Sequence, residues 1–545
     1  MKSVRISISP LHGLLPLVCL LLALPVWGVL GSWFALDAPA LAVLRHQFST
    51  VLPGYALQSA LLAGGVGLGV VLLGSALAAA VTLFDFRGRR TLEWALLLPL
   101  AMPAYVLAYA WTDALQYSGP LQTGLRASLG WQGALWPDVR SLPGATLLFV
   151  LCLYPYVYLL TRAALGERAV QMMEAARLLG APMRRRVLEV ALPMARPAIA
   201  AGAALALMET LADYGVGAYF GLSTLATGIY KAWLVMDDRV AAAQLASVLL
   251  LVVAALLMAE RAAQRGRRFA AARGAGSQSA EARPTPLHGA MAVGVLLLCL
   301  LPVLLGFVLP VLWLARMLWQ EATLSEFGLP LARFAQWAWA SFSLAAIAAL
   351  LATALALALG YALRQGHHVA LRPAARVLSL GYAVPGAVIA LGILVPVGWL
   401  QSRWPQLGAA ALVTGTAFGL VYAYLVRFSA VALQSVEAGY ARVPLSIDDT
   451  ARMLGSRPPR VFAALHLPLL RRSALAAALL VFVDVMKELP ATLVLRPFGS
   501  DTLAVVAYNF ARDERLAEAA LPSLAIVLVG LLPVILLSRA LRQPS

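Results

Sequence analysis

Four carboxylates stand where apolar side chains would cost far less. Glu209 and Asp213 lie four residues apart in one apolar stretch, and Asp484 and Glu488 repeat the pair 275 residues later. On a continuous helix such a spacing puts both side chains on one face. Counted from Pro197 at about 1.5 Å per residue, Asp213 lies roughly 24 Å along the helix, in the outer part of a hydrocarbon core about 30 Å thick. Charges at that depth are expensive and usually face a water-filled path. Four carboxylates around one axis make a hard-oxygen environment suited to a hard cation. Glu209, Asp213, Asp484 and Glu488 are therefore candidate path-lining residues and transient metal contacts. Lys487, next to Glu488, could neutralise one acid or close the path. A second reading leaves the acids at the outer membrane boundary, paired with Lys487 or Lys231 and orienting the helices.

The elements that must position these acids are spanning helices. The chain has 545 residues, 61% hydrophobic and only 12% charged, more apolar surface than a soluble core could hide. Twelve apolar stretches are long enough to cross a bilayer: 13–36, 56–84, 93–114, 143–165, 197–218 and 239–259, then 288–317, 337–363, 375–400, 407–432, 473–496 and 516–538. They are continuous runs, not the alternating pattern of a transmembrane barrel. The expected fold class is thus an all-α integral membrane protein. The net charge of +17 is not a nucleic-acid signature. With alternating spans and a cytoplasmic N-terminus, the basic residues collect on the cytoplasmic side, as topology and anionic headgroups favour. Both termini are then cytoplasmic, and the first apolar run, too long for a signal peptide, is an uncleaved helix. Cys19, Cys152 and Cys299 fall in apolar segments without metal or disulfide spacing.

The only long polar break, 263–286, is rich in Arg, Gly, Ser and Ala and reads as a cytoplasmic linker. It separates a first half, 1–262, from a second, 287–545, with six stretches each. The halves are related in sequence. Glu174-Ala-Ala-Arg-Leu-Leu-Gly180 matches Asp449-Thr-Ala-Arg-Met-Leu-Gly455, and Leu192-Pro193 matches Leu467-Pro468, both at an offset of 275; Pro103 corresponds to Pro385. An even number of helices per half makes them parallel repeats.

Each half carries its most polar long loop between its fourth and fifth helices, at 166–196 and 433–471. A short helix, a glycine able to end it in the left-handed conformation, a basic stretch and Leu-Pro follow in order. The Glu174-Ala175-Ala176…Gly180 pattern resembles the docking loop of binding-protein-dependent ABC importer permeases; the second loop keeps Asp449, Ala451 and Gly455. The stretch "LLVFVDVMKELPATLVLRPFGSDTLA", 479–504, and "LMETLADYGVGAYFG" in the first half look like ferric-iron permeases. The resemblance implies a type I ABC importer permease fold in a fused two-half form, with both loops docking on ATPase subunits. It also implies two copies of an ABC ATPase, a periplasmic substrate-binding protein, Fe(III) as substrate and an inner-membrane location. Thiamine, polyamine or phosphonate permeases share the architecture, and an ion-coupled secondary transporter is the rival class. The three lysines, Lys2, Lys231 and Lys487, sit in no phosphate-binding loop. The chain is expected to be neither an ATPase nor any other enzyme, to have no cofactor, and to have the bilayer but no nucleic acid as a partner.

Overall fold

The computed structural model describes residues 10–35, 38–166, 170–265, 284–324, 328–365 and 370–541. Residues 266–283 of the expected linker, 167–169 of the first polar loop and both extreme termini lie outside the described residues. The described chain is almost wholly helical. Its single strand pairing joins Phe84–Asp85 in parallel with Thr285–Pro286, setting the end of the linker beside the end of the Leu52–Leu83 helix.

Among the described residues, ten helices are long and apolar enough to cross a membrane, or eleven if the bent pair Arg89–Ala101 and Ala104–Leu129 counts as one span. The remaining one of the twelve expected spans is present as Leu467–Met486, a 20-residue helix that carries Arg471, Arg472 and Asp484. The Leu331–Gln365 helix has 35 residues, about 50 Å at 1.5 Å per residue. It therefore extends past a core about 30 Å thick, or crosses it tilted.

Besides the fifth span of each half, which stops at Ala212 or Met486 and restarts as a short helix, three expected spans are broken instead of continuous. Runs 93–114 and 375–400 both stop at a short 3₁₀ turn and restart after proline: Pro103 opens Ala104–Leu115 and Pro385 opens Gly386–Arg403. The prolines sit at φ −59°, ψ 142° and φ −50°, ψ 142°. Each lacks an N–H and pushes the residue before it out of the helical region; Met102 and Val384 are accordingly extended. Ahead of the second break, Leu371–Ser379 is an amphipathic helix with Leu371, Ala375 and Leu378 inward and Arg372 and Arg376 exposed. Run 407–432 divides into Ala409–Thr414 and Phe418–Tyr440.

The described chain forms two compact units, neither contiguous in sequence. One comprises Leu44–Lys231, Val248–Pro330 and Ala507–Ser545; the other comprises Met1–Val43, Ala232–Ser247 and Leu331–Val506. In the first, Leu52–Leu83, Leu142–Ala164 and Leu192–Ala212 pack together, and Leu309–Leu324 lies against Leu516–Leu541. Gly202 admits the close approach, since a Cβ there would stand 2.6 Å from the Val157 Cα. In the second, Leu331–Gln365, Phe418–Tyr440 and Leu467–Met486 make the equivalent three-helix core, and Pro10–Gly31 crosses Gly386–Arg403. That crossing is backbone on backbone: a Cβ on Gly28 would strike the Gly392 carbonyl oxygen, and one on Gly392 the Pro25 carbonyl oxygen. Small residues let helices pack closely where lipid supplies no hydrophobic drive.

Gly392→Leu should therefore cost about 1–3 kcal/mol and lower the melting temperature of the purified protein in detergent. Gly64→Leu, at a position with nothing within 4 Å of a new Cβ, serves as the control. Equal melting temperatures for the two variants would remove the crossing from the fold's support.

Candidate functional site

The two polar loops repeat in structure as well as in sequence. In the first, the helix Val170–Leu178 carries Glu174, Ala175 and Ala176; in the second, Ser446–Met453 carries Asp449 and Ala451. Both end the same way. Gly180 N–H bonds the Arg177 carbonyl and Ala181 N–H the Ala176 carbonyl; Gly455 N–H bonds the Arg452 carbonyl and Ser456 N–H the Ala451 carbonyl, all at 3.0 Å. The glycines adopt φ of +80° and +72°, and a Cβ on either would meet nothing within 4 Å. Conformation, not space, selects glycine. The tight turn leaves a matched apolar pair outside: Leu178 and Leu179 are 89% and 87% exposed, Met453 and Leu454 89% and 79%. Each loop then passes through a π-helical turn, Arg186–Ala191 or Phe462–His466, directly into the fifth helix of its half. Asp449 pairs with Arg452 at 3.6 Å on the exposed face, worth little in water.

Behind the second loop lies a buried polar cluster. Arg364, at the end of the Leu331–Gln365 helix, donates from Nε to Asp448 Oδ2 at 2.7 Å and from its other nitrogens to the Val443 and Pro444 carbonyls. Asp448 Oδ1 lies 2.7 Å from Nε2 of His466, whose ring is fully buried. Burial alone would raise the Asp448 carboxyl, but its bonds to Arg364 and His466 outweigh that and hold it below the ordinary aspartate value.

The acid pairs do not lie along one continuous helix face. The fifth helices end at Ala212 and Met486, before the second acid of each pair, so Glu209 and Asp484 stand in the last turns while Asp213 and Glu488 lie beyond. The second acid instead starts the next short helix. Asp213 Oδ1 accepts the Val216 N–H at 2.8 Å. Glu488 accepts the Ala491 N–H at 2.8 Å and the Thr492 N–H at 3.0 Å, one on each carboxylate oxygen. Unpaired N–H groups at a helix start attract carboxylates, and in hydrocarbon they must be satisfied.

Lys487 does neutralise one of the acids, as the sequence suggested, but Glu488 meets a cation that the sequence did not point to. Lys487 reaches back one turn to Asp484 at 2.9 Å. Glu488, 4% exposed, takes Arg427 of the Phe418–Tyr440 helix at 3.4 Å, with Tyr424 bonded to the neighbouring Thr492 hydroxyl at 2.7 Å. Sequence reasoning missed Arg427, Arg364, Asp448 and His466; the available signal was a lone charge inside or beside an apolar run. Among the described residues, no group of three or more His, Cys, Asp or Glu side chains is placed to hold a metal ion.

Ahead of the last helix of each half is a turn with a non-glycine residue in left-handed backbone, Asp237 at φ 51° and Glu514 at φ 60°. Glu514 is gripped by Arg140, both oxygens at 2.8 Å, and Arg140 also donates to the Tyr219 hydroxyl at 3.1 Å. The Arg140 bonds hold the Glu514 carboxyl below its usual range.

Glu488→Ala should destabilise the protein by about 3–5 kcal/mol, because it breaks a buried ion pair with Arg427 and leaves two buried N–H groups without their acceptor. Asp213→Ala, which removes one cap, should cost about 1 kcal/mol. Thermal melts of the two variants in detergent check the ranking; a Glu488→Ala loss no larger than that of Asp213→Ala would contradict it.

The family model "Binding-protein-dependent transport system inner membrane component" matches residues 70–268, from within the second helix of the first half through its polar loop to the end of its sixth helix. The chain is 25% identical over 479 residues to the "Fe(3+)-transport system permease protein FbpB 2" of Haemophilus influenzae, covering 87% of each protein. It is 26% identical over 255 residues to the "Putative 2-aminoethylphosphonate transport system permease protein PhnU" of Salmonella choleraesuis, 44% of this chain and 89% of that one. With PhnV of Salmonella typhimurium, also named a putative 2-aminoethylphosphonate permease, it is 30% identical over 169 residues, 31% of this chain and 60% of the relative. Helical architecture, repeated glycine-capped loops and these likenesses agree: residues 70–268 match the inner-membrane component of a binding-protein-dependent transport system, and the chain is similar over most of its length to a permease of an ABC importer.

Proposed function

We propose that this permease carries Fe(III), delivered by a periplasmic binding protein, across the bacterial inner membrane to the cytoplasm, with both chain termini on the cytoplasmic side. The observation that carries the reading is likeness along nearly the whole length, 87% of both chains, to a permease named for Fe(3+) transport. The acids Glu209, Asp213, Asp484 and Glu488 support it in kind, since carboxylate oxygens suit a hard cation. In the state described here Asp484 and Glu488 are already engaged by Lys487 and Arg427. Passage of a cation would require those partners to exchange. The likeness to 2-aminoethylphosphonate permeases supports a second reading within the same class, one in which a phosphonate group would meet carboxylates of its own sign.

ATP is hydrolysed by two copies of a separate ABC ATPase, one seated on each of the loops 166–196 and 433–471. The apolar pairs Leu178–Leu179 and Met453–Leu454, held outward by Gly180 and Gly455, are the contacts such a subunit would cover. Its closure moves each loop helix, and the π-helical turn passes that motion to the fifth helix and the acids at its far end. The permease couples the two motions and performs no chemistry itself.

The test is ATP-dependent uptake by proteoliposomes holding the permease, its ATPase and its binding protein, with radiolabelled Fe(III) and 2-aminoethylphosphonate offered separately. Uptake of Fe(III) alone is the expected result; uptake of the phosphonate alone establishes the second reading, and uptake driven by an ion gradient without the ATPase rejects both. Gly180→Val and Gly455→Val force a β-branched residue into left-handed backbone, at about 1–2 kcal/mol each. They should lower transport per ATP hydrolysed severalfold while the chain still inserts, and unchanged coupling would count against the docking role.

A further inference from the structure

The two docking loops rest on chemically opposite foundations. In the second half, three side chains from three elements meet behind the loop. Arg364 comes from the end of Leu331–Gln365, Asp448 from the docking helix and His466 from the π-helical turn that opens the fifth helix. Arg364–Asp448 and Asp448–His466 are both 2.7 Å. Tyr361 and Tyr440 enclose the imidazole with ring centroids 5.1 and 5.5 Å away. The Tyr361 hydroxyl bonds the Pro458 carbonyl at 2.9 Å, and Arg364 holds two carbonyls of the segment leading into the docking helix.

The first half has none of these groups. The offset of 275 places Met173 opposite Asp448 and Ala191 opposite His466, and the offset of 282 that relates Pro103 to Pro385 places Thr82 opposite Arg364. Met173 and Ala191 belong to one apolar cluster with Leu83, Tyr158 and Leu165.

We propose that Arg364, Asp448 and His466 form a charged clamp that makes the second docking helix move as one body with the second and fifth helices of its half, while at the corresponding positions Met173 and Ala191 hold the first docking loop by apolar packing, which lets it slide more freely. These are positioning residues acting through the loop, and their coupling role rests on the docking reading above. Directional, hydrogen-bonded charges resist displacement because each partner lost leaves a buried charge unpaired. Apolar surfaces keep most of their contact when they shift. Equal strokes from two identical ATPase subunits would therefore reach the fifth helices unequally, more fully through the second loop.

Hydrogen exchange by mass spectrometry on the full chain in lipid nanodiscs, alone and in complex with its copurified ATPase, tests this. The variant Asp448→Met with His466→Ala installs the packing the first half already uses. Asp448→Asn, which keeps size and shape, is the second variant should the first not fold. Without nucleotide, exchange across 446–453 should rise about tenfold in either variant, with 170–178 unchanged. With Mg-ATP, the change seen at 467–486 in the native complex should shrink, while that at 192–212 persists. Unaltered exchange at 446–453, or an equal rise at 170–178, overturns the clamp. Should ATP alter neither loop in the native complex, the docking reading fails, and the nucleotide-free comparison still decides whether the clamp exists.

Discussion

A helix that stops out of reach of water exposes N–H and C=O groups, and each must find a partner within the protein. This constraint organises both halves of the permease around the broken end of the fifth helix. The break is affordable because the residue just past it is an acid. Asp213 and Glu488 each accept the N–H of the second residue of the following short helix. The carboxylates that look like cargo ligands in the sequence are first of all structural acceptors. Any role in passage is superimposed on that one, and it draws on oxygens already engaged.

The halves solve the same problem with different chemistry. Around the second break, Glu488 is bonded by two backbone N–H groups, the Thr492 hydroxyl and Arg427; the same register in the first half carries Cys152 opposite Arg427. Behind the loops, Arg364, Asp448 and His466 correspond in sequence to Thr82, Met173 and Ala191. Buried charge in the second half repeatedly stands where the first has apolar or small polar side chains. Charge networks add little net stability over well-packed apolar residues but tolerate few alternative geometries. The second half is thus specified by direction and the first by volume.

Features set within a few residues were legible in the sequence. Gly180 and Gly455 declare a helix end because only backbone with positive φ closes that turn, and the repeat offset followed from local matches. Pro103 and Pro385 were legible as landmarks, yet the apolar runs hid the breaks they cause, since hydropathy does not distinguish a straight helix from two joined at an angle. The partnerships of Glu488 with Arg427 and of Asp448 with His466 were not legible. They join residues 61 and 18 positions apart, and nothing local records which charge meets which. The spacing of four within each acid pair misled for a related reason: it implies a shared face only while the helix continues, and here it stops between the two.

The composition of the compact units bears on how the molecule is made. Pro10–Gly31 precedes the other described helices in the chain, yet the surface it packs against, through Gly28 and Gly392, belongs to the second half. Leu516–Leu541, the last helix, completes the unit built mainly from the first half. Neither unit can close before its segments from the second half have been made. During that interval lipid must shield the early helix, which is possible because it is apolar on every side. Joining the halves in one polypeptide places both exchanged pieces in fixed one-to-one supply, so assembly becomes a matter of folding order within a single molecule.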